Sequence, residues 1–408
     1  MFLSWQLAWR YLRGKRANVV PILSRISMVA ISVGSCAMIV LFSIFNGFEH
    51  LIKDLYKAFY PELKITVDKG KFFDLEDSKL TALKSINGIT AITKVLEDNV
   101  LLNANDEQQV AVVKGIDASF LRVNNIKPYI SEGAATVVDG PVPTAIIGLQ
   151  MANQLGVQVN NVFSRLSIYY PNADIENIAL NPQSAFRSMQ LKPQGIFRIQ
   201  DEFDGKYILA PIHKVQELFN QPGRYSSLEI KVNSGADPEH IKSQIQKLLG
   251  KQYVVATRFE QNRTLYMVMS TEKWAVYGIL LLVLLIASFN MIGALTMLVL
   301  EKQKDITILK AMGAENSVVR NVFIAEGLLW AVIGGGIGIL AGAAFCLGQQ
   351  RFHWIKLHGA FIIDAYPVMM KWTDFVLVLA TVTFVGLLAA AYPAIRSVRV
   401  NDPTLKMT

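Results

Sequence analysis

The sequence predicts an α-helical membrane protein with four transmembrane helices and a large mixed α/β domain inserted between helices 1 and 2. Two observations lead to this fold class. The chain has 408 residues, of which 52% are hydrophobic and 18% are charged, a composition between those of a soluble enzyme and an all-membrane bundle. Its apolar residues are concentrated in four charge-free runs, and one long polar segment separates the first run from the second.

Each apolar run is long enough to cross about 30 Å of hydrocarbon as a helix, which takes about 17–25 residues. We assign transmembrane helices to residues 26–48, 274–300, 327–348 and 375–392. The first run starts late and leads into Asn46-Gly47 instead of a small-residue cleavage site. We therefore interpret it as an uncleaved span and not as a signal peptide.

The distribution of Lys and Arg predicts the orientation of the spans. The N-terminal tail, the loop after the second span and the C-terminal tail are basic, with Arg10, Arg13, Lys15, Arg16, Arg25, Lys302, Lys304, Lys310, Arg320, Arg396, Arg399 and Lys406. The opposite short loop, residues 349–374, holds fewer cations: Arg351, Lys356 and Lys371. We expect both termini in the cytoplasm, and this asymmetry explains the net charge of +8 better than nucleic-acid binding does.

Helical spacing of apolar residues also occurs outside the spans. Phe2, Trp5, Trp9 and Leu12 predict an amphipathic helix on the inner leaflet within residues 1–25, a frayed tail being the alternative. Beyond the first span the spacing continues to Phe59, and residues 265–269 lead helically into the second span. We expect these extensions to form stalks that carry rigid-body motion out of the membrane.

The segment between the stalks, residues 49–273, has mixed α/β character. Residues 63–67 alternate like a strand, and two longer strands flank the turn Asn105-Asp106, which indicates a hairpin. Residues 228–257 follow a β-α-β pattern. We expect an inserted subdomain at about 117–223.

Catalytic patterns are absent from the sequence. His213 and His240 are far apart and lack metal-ligand spacing. We interpret Asp201, Glu202 and Asp204 as a solvated turn, not as an acid/base pair. Cys36 and Cys346 lie in apolar runs, which suits neither a disulfide framework nor a metal cluster. We expect a transport subunit and not an enzyme.

The chain also lacks a P-loop, because none of its Gly-Lys pairs is followed by Ser or Thr. Any use of ATP must therefore come from a partner. Residues 301–314 predict a short helix that ends at Gly313 and docks on a soluble ATPase, an ordinary solvated connector being the alternative. The candidate coupling residues are Glu301, Lys302, Asp305, Ile306, Leu309, Lys310, Gly313 and Ala314.

Small residues repeat in the third span, at Gly334, Gly338 and Gly342. This four-residue spacing allows two helices to approach closely. The helix packed there belongs either to the same chain or to a second copy, and the sequence leaves both open.

Several motifs resemble the FtsX-like permease family of type VII ABC transporters over the whole chain. Residues 301–314 look like the family's coupling loop, residues 326–329 are similar to the start of its third helix, and residues 391–396 with Pro403 look like its C-terminal signature. Thr307 departs from the Gly or Ala of many members, but a β-branched residue still fits a helix. The resemblance implies a MacB-like periplasmic core between helices 1 and 2.

Residues 7–16, 43–49 and 146–156 resemble one subfamily more specifically, the lipoprotein-releasing permeases LolC and LolE. Members of this subfamily extract acylated lipoproteins from the outer leaflet of the inner membrane and pass them to a periplasmic carrier. The resemblance implies cytoplasmic ABC ATPase partners that bind ATP and Mg²⁺, no cofactor on this chain, and a second permease copy or paralogue. A carrier-binding hook would correspond to part of residues 170–192.

The same resemblance implies lipid entry between the first two spans. The candidate contacts with substrate or lipid near the outer interface are Phe42, Phe45, Asn46, Phe48, Leu265 and Met269, simple helix packing being the alternative for each. Three rival functions remain: an efflux permease, a transducer that activates a cell-wall hydrolase, and a tethered receptor without an ATPase. The first usually carries a fused ATPase, the second a smaller outer domain, and the third leaves the coupling loop unexplained.

Overall fold

The computed structural model describes residues 19–159, 161, 164–172, 185–356 and 365–399, with only the backbone for residues 19–23 and 399. Residues 1–18, which hold most of the segment 1–25 in which an amphipathic helix is predicted, therefore lie outside the described residues. So does the central part of the predicted hook, residues 173–184. Within the described chain, contacts divide the molecule into two compact units.

The first unit contains four helices that are long and apolar enough to cross a membrane. It comprises the chain up to Leu51, Met267–Lys356 and the chain from Ala365 onward. Its helices are α1 (Val19–Lys57), which continues beyond this unit, α9 (Arg263–Glu301), α10 (Gln303–Ala311), α11 (Asn316–Phe352) and α12 (Trp372–Arg399). Large apolar side chains such as Phe42, Met291 and Trp330 fill the core between them.

The second unit, Ile52–Tyr266, is built on a single ten-stranded sheet. Its strands are β1 (Leu63–Val67), β2 (Ile89–Ala104), β3 (Glu107–Ile116), β4 (Ile130–Gly133), β5 (Thr144–Gly148), β6 (Leu166–Pro171), β7 (Phe186–Phe197), β8 (Tyr207–Pro211), β9 (Ser227–Val232) and β10 (Tyr253–Thr257). Their order is β10-β1-β9-β2-β3-β8-β5-β7-β4, and β6 pairs with β2 and β7. Strands β4–β8, which lie within the predicted subdomain 117–223, thus belong to the same sheet.

Short helices of the second unit cover the sheet. They are α2 (Asp77–Lys84), α3 (Phe120–Val123), α4 (Leu149–Gln154), α5 (Asp201–Asp204), α6 (Ile212–Phe219), α7 (Pro238–Leu249) and α8 (Arg258–Gln261), with a 3₁₀ turn at Lys127–Tyr129. One apolar core lies around β1, β9, β10 and α7, and a second around β2, β3, β5–β8 and α6.

Two local features follow directly from the sequence. Asn105 and Asp106 both have positive φ (51° and 65°), which a two-residue turn between twisted antiparallel strands requires. The predicted β-α-β segment forms β9, α7 and β10, but β9 and β10 are not neighbours. Strand β1 lies between them and is antiparallel to both, so the unit is a split β-α-β.

Candidate functional site

The apolar residues of helix α10 differ in exposure, and Leu309 is half-buried. Ile306 is only 3% exposed and belongs to the apolar core of its own unit, whereas Ile308 is 58% exposed and Met312 is 79% exposed. Ile306 is one of the residues predicted to dock on an ATPase, and in this structure its side chain packs in the apolar core of its own unit. Ile308 in α10 and Met312, the residue that caps its C-terminus, are four positions apart and are the large apolar side chains that this segment exposes.

Polar contacts and a glycine define the ends of α10. Lys302 forms an ion pair with Asp305 (3.2 Å), and Nζ of Lys310 donates to the carbonyl of Val398 (3.5 Å). Gly313 follows the helix with φ of +91°, a left-handed conformation that ends helices. The N–H of Ala314 then donates to the carbonyl of Leu309 (3.0 Å). Glu301, Lys304 and Thr307 are exposed.

The three spaced glycines of α11 face helix α1 of the same chain. A Cβ atom at Gly334 would lie 2.8 Å from the carbonyl oxygen of Met28, and one at Gly342 would lie 3.0 Å from that of Cys36. A Cβ at Gly338 would overlap the carbonyl oxygen of Ser32. The structure thus uses the glycine spacing for a close α1–α11 contact within one chain.

The predicted lipid contacts differ in how much surface they present. Phe42 is buried and stacks on Tyr277, with ring centroids 5.9 Å apart, and Asn46 is fully buried. Within this chain neither side chain presents a surface to lipid. The remaining four are half-buried: Phe45, Phe48, Leu265 and Met269.

Asn46 is the centre of a polar cluster that the sequence reasoning missed. Its Nδ2 donates to Oδ2 of Asp374 (2.5 Å) and to the carbonyl of Met369 (3.3 Å), while its Oδ1 accepts from Nζ of Lys273 (2.9 Å). Nζ of Lys273 also lies 3.6 Å from Oδ1 of Asp374. The cluster joins α1, α9 and α12. A signal was present, because Lys273 and Asp374 each directly precede an apolar run.

The residues beside Asn46 reinforce this junction. A Cβ at Gly47 would overlap the carbonyl of Pro367, and the N–H of Met369 donates to the carbonyl of Ser43 (2.8 Å). Glu49 forms an ion pair with Lys371 (3.2 Å). The segment 43–49 therefore acts as a junction with residues 367–374, and only glycine fits at position 47.

In the second unit, the end of helix α1 is embedded in aromatic residues. The ring of Phe59 lies 4.7–5.6 Å from the rings of Phe197, Phe203 and Tyr207. Oη of Tyr56 donates to Oε2 of Glu202 (2.8 Å). These contacts attach Tyr56 in the last turn of α1, and Phe59 just after the helix, to the sheet domain.

The chain leaves the sheet beside the point where it enters. Strand β1, which follows α1, pairs with β10, which precedes α8 and α9. Nε of Arg258 donates to the carbonyl of Tyr60 (2.9 Å), and Nε2 of Gln261 donates to that of Pro61 (3.3 Å). Thr257 and Glu260 form a capping box that starts α8. The segments that follow α1 and precede α9 are thereby tied together.

A layer of four charged residues lies on the sheet face beneath Phe59. Lys64 pairs with Glu97 (2.7 Å), and Lys114 pairs with Glu229 (2.6 Å) with both side chains buried. Glu229 also accepts from Nδ2 of Asn124 (2.5 Å). Nζ of Lys114 lies 5.2 Å from the ring centroid of Phe59, within range of a cation–π contact.

Mutual attraction favours the charged forms of Lys64 and Glu97. Burial alone would raise the pKa of Glu97, but the positive charges of Lys64 and Lys114 outweigh burial and hold that pKa below its usual value. Burial would likewise lower the pKa of Lys64, and the charge of Glu97 reverses the shift. The layer is therefore a set of ion pairs. Removing these charges from water costs free energy, and the pairing fixes the positions of the side chains relative to one another.

The acidic segment 201–204 is helix α5 and not a solvated turn. Asp204 is buried and its Oδ1 accepts from the N–H of Ile199 (2.9 Å), while Asp201 and Glu202 are exposed. Burial raises the pKa of Asp204 to about 6. In the part of the chain that the structure describes, no three His, Cys, Asp or Glu residues are grouped to hold a metal ion.

Two family descriptions match the chain. Residues 24–248 match the MacB-like periplasmic core domain, which covers more than half of the chain, and residues 277–401 match the FtsX-like permease C-terminal region. The chain belongs to the FtsX-like permeases with a MacB-like periplasmic core. The expected family is thereby confirmed, as is its combination of apolar spans with a sheet-rich domain.

Relatives of this FtsX-like permease align over nearly their whole length. It is 25% identical to the lipoprotein-releasing system transmembrane protein LolE of Haemophilus influenzae, with 97% of each chain covered. It is 23% identical to LolC of Xylella fastidiosa, over 98% of this chain and 97% of LolC. An uncharacterized ABC transporter permease of Methanocaldococcus jannaschii is 23% identical, over 97% of this chain and 95% of the relative.

Proposed function

We propose that this chain is the permease subunit of an ABC transporter that extracts acylated lipoproteins from the outer leaflet of the bacterial inner membrane and passes them to a periplasmic carrier. The observation that carries the proposal is the alignment of 97% of the chain with a relative named as a lipoprotein-releasing transmembrane protein. Both units of the chain take part in this alignment.

A separate ATPase would supply the energy through helix α10. Ile308 and Met312 are exposed on this helix although both are apolar, and a partner's groove would remove them from water. Fully burying one such side chain stabilises an interface by about 1.5–3 kcal/mol. Cytoplasmic ATP hydrolysis, with Mg²⁺ bound by the partner, then acts on the permease at α10.

The long helices would transmit this work. Helix α1 has 39 residues, which at 1.5 Å per residue is about 58 Å, nearly twice the hydrocarbon thickness of about 30 Å. Helix α9 has the same length. The ring contacts of Phe59 and the bonds of Arg258 give the chain beside each helix a fixed attachment to the sheet domain.

The cargo explains why work is needed. Removing an acyl chain from a membrane costs about 0.8 kcal/mol per buried CH₂, so a lipoprotein with several chains leaves extremely slowly unaided. Phe45, Phe48, Leu265 and Met269, which are half-buried, are the proposed contacts with substrate or lipid. The proposal includes a second permease copy or paralogue, and a carrier that binds within residues 170–192.

The test is controlled depletion of the protein followed by separation of inner and outer membranes. Lipoproteins destined for the outer membrane should accumulate in the inner membrane, and re-expression of the native chain should restore their distribution. Re-expression of the double variant Ile308→Asp, Met312→Asp should restore the level of inserted permease without restoring release.

Other results would favour the rival functions. A normal lipoprotein distribution with drug sensitivity would indicate efflux, and a normal distribution with a cell-separation defect would indicate a hydrolase transducer. Either result would contradict lipoprotein release as the function.

A further inference from the structure

A short turn at the end of helix α11 presents six consecutive exposed residues, Arg351–Lys356. Two of them are large aromatic side chains: Phe352 is 65% exposed and Trp354 is 58% exposed. Their rings stack on one another with centroids 5.6 Å apart and planes 7° from parallel. A cation precedes this aromatic pair and another follows it, at Arg351 and Lys356.

The backbone of this turn is held by a buried side chain. Nε2 of Gln349 donates to the carbonyl of Ile355, and Oε1 of Gln349 accepts from the N–H of Ile355, both at 2.9 Å. His353 ends the helix with φ of +51°, a conformation that costs energy for a residue with a side chain. Trp354 lies over Gly348, where a Cβ would be 2.5 Å from its ring. These contacts fix the backbone at Ile355 and the position of the Trp354 ring.

The depth of the turn follows from helix geometry. The apolar run of α11 ends at Gly348, and Phe352 lies four residues further, about 6 Å along the axis. The polar layer of a bilayer is about 5–8 Å thick on each side of the hydrocarbon. Trp274, which begins the apolar run of α9, and Trp372, the first residue of α12, are also exposed at this end of the helices. Exposed aromatic rings at the ends of membrane-spanning helices are typical of a membrane boundary.

The charges of the turn need a partner of opposite sign. Among the residues that the structure describes, no carboxylate pairs with Arg351 or Lys356, whereas Lys371 in the same loop pairs with Glu49 (3.2 Å). Cations in a short loop on this side also run against the Lys and Arg asymmetry of the other loops. Phosphate groups of anionic lipids carry the opposite charge. They lie at this depth, and they accept hydrogen bonds from Arg and Lys.

We propose that Arg351–Lys356 is a membrane-interface anchor that binds anionic phospholipid in the leaflet it faces. The guanidinium of Arg351 and the ammonium of Lys356 donate to lipid phosphates, and the stacked rings of Phe352 and Trp354 lie at the level of the acyl carbonyls. The anchor fixes the outer end of α11 in the bilayer. This proposal does not depend on which cargo the permease carries.

A simpler explanation covers part of these observations. Arg351 lies in the last turn of α11, where a cation stabilises the helix dipole. That effect does not involve Lys356, which follows the helix, and it does not require exposed aromatic residues. It also predicts no difference between anionic and zwitterionic lipids, so the two explanations can be separated.

The test uses the full chain in nanodiscs of phosphatidylcholine to which brominated lipid is added. Trp354 is observed as the difference in fluorescence between the native chain and the Trp354→Phe variant. We expect brominated lipid to quench this signal and aqueous iodide to leave it largely unchanged. Half-quenching by brominated phosphatidylglycerol should need about 25-fold less lipid than by brominated phosphatidylcholine, since each cation near the surface contributes about fivefold.

In the double variant Arg351→Gln, Lys356→Gln, the half-quenching concentrations of brominated phosphatidylglycerol and brominated phosphatidylcholine should become equal. The Trp354 signal of this variant is again obtained as a difference, from the same double variant with Trp354→Phe added. The matched control, Lys84→Gln with Lys247→Gln, removes two exposed lysines from the last turns of α2 and α7 and should keep the preference. Quenching by iodide but not by brominated lipid would overturn the anchor. Equal quenching by the two lipids in the native chain, or a preference that persists in the double variant, would overturn the phosphate contacts.

Discussion

Helix α10 makes the most specific mechanical prediction, because Ile306 lies in the core whereas Ile308 and Met312, at the end of the helix, are exposed. The double variant Ile308→Asp, Met312→Asp removes the exposed pair and leaves the buried Ile306 in place. Losing the burial of two such side chains is worth about 3–6 kcal/mol. At 1.4 kcal/mol per factor of ten, the Kd for the cognate ATPase should rise by about 100- to 10,000-fold. Surface plasmon resonance with the permease in nanodiscs measures this constant.

Two comparisons make the result interpretable. Ile306→Ala removes a buried side chain and should lower the thermal stability of the permease, by about 2–5 kcal/mol in free energy of unfolding, with much less effect on ATPase binding. Val110→Asp with Val254→Asp adds two carboxylates at exposed apolar positions of the sheet domain and should leave binding unchanged. An unaltered Kd in the α10 double variant, with the ATPase binding the native chain, would refute the docking role of Ile308 and Met312.

Three further predictions concern stability, each measured as the thermal unfolding of the full chain in detergent. Lys114→Met leaves the buried Glu229 unpaired and should cost about 3–5 kcal/mol, most of which Lys114→Met with Glu229→Leu should recover; equal losses would contradict the ion pair. Gly338→Ala should destabilise by about 1–3 kcal/mol because its Cβ overlaps α1, whereas Gly336→Ala, with open space around it, should not. Because the pKa of Asp204 is about 6 in the folded chain and lower when unfolded, the native protein holds an extra proton between about pH 4 and 6. Stability should therefore fall as pH rises through 6, by up to about 3 kcal/mol, and Asp204→Asn should abolish that slope.

The elements that the sequence predicted well depend on neighbours in the chain. A charge-free run of about 20 residues is a local property, and so is the pair of positive φ angles that Asn105-Asp106 accepts at a hairpin turn. The apolar pattern of α10 predicted a helix with a stop at Gly313. Its nine residues did not reveal which apolar side faces the core, so the sequence did not distinguish the buried Ile306 from the exposed Ile308.

The features that were missed depend on residues distant in the sequence. Asn46 meets Lys273 and Asp374 more than 200 residues away, and nothing local indicates that the three converge. The β-α-β pattern was recognised, but strand β1 entering between β9 and β10 depends on a segment more than 150 residues earlier. The burial of Asp204 likewise requires the neighbouring strands, since its acidic sequence alone suggests a solvated turn.

The account depends on the sheet domain and helix α10 lying on opposite sides of the membrane. Single cysteines introduced as Lys247→Cys in the sheet domain and Glu315→Cys after α10, in a chain with Cys36 and Cys346 replaced by alanine, test this in spheroplasts with a membrane-impermeant maleimide. The account predicts that the cysteine at 247 is labelled in intact spheroplasts, and that the one at 315 is labelled only after the membrane is permeabilised. Labelling of both from the same side, or the reverse pattern, would contradict it.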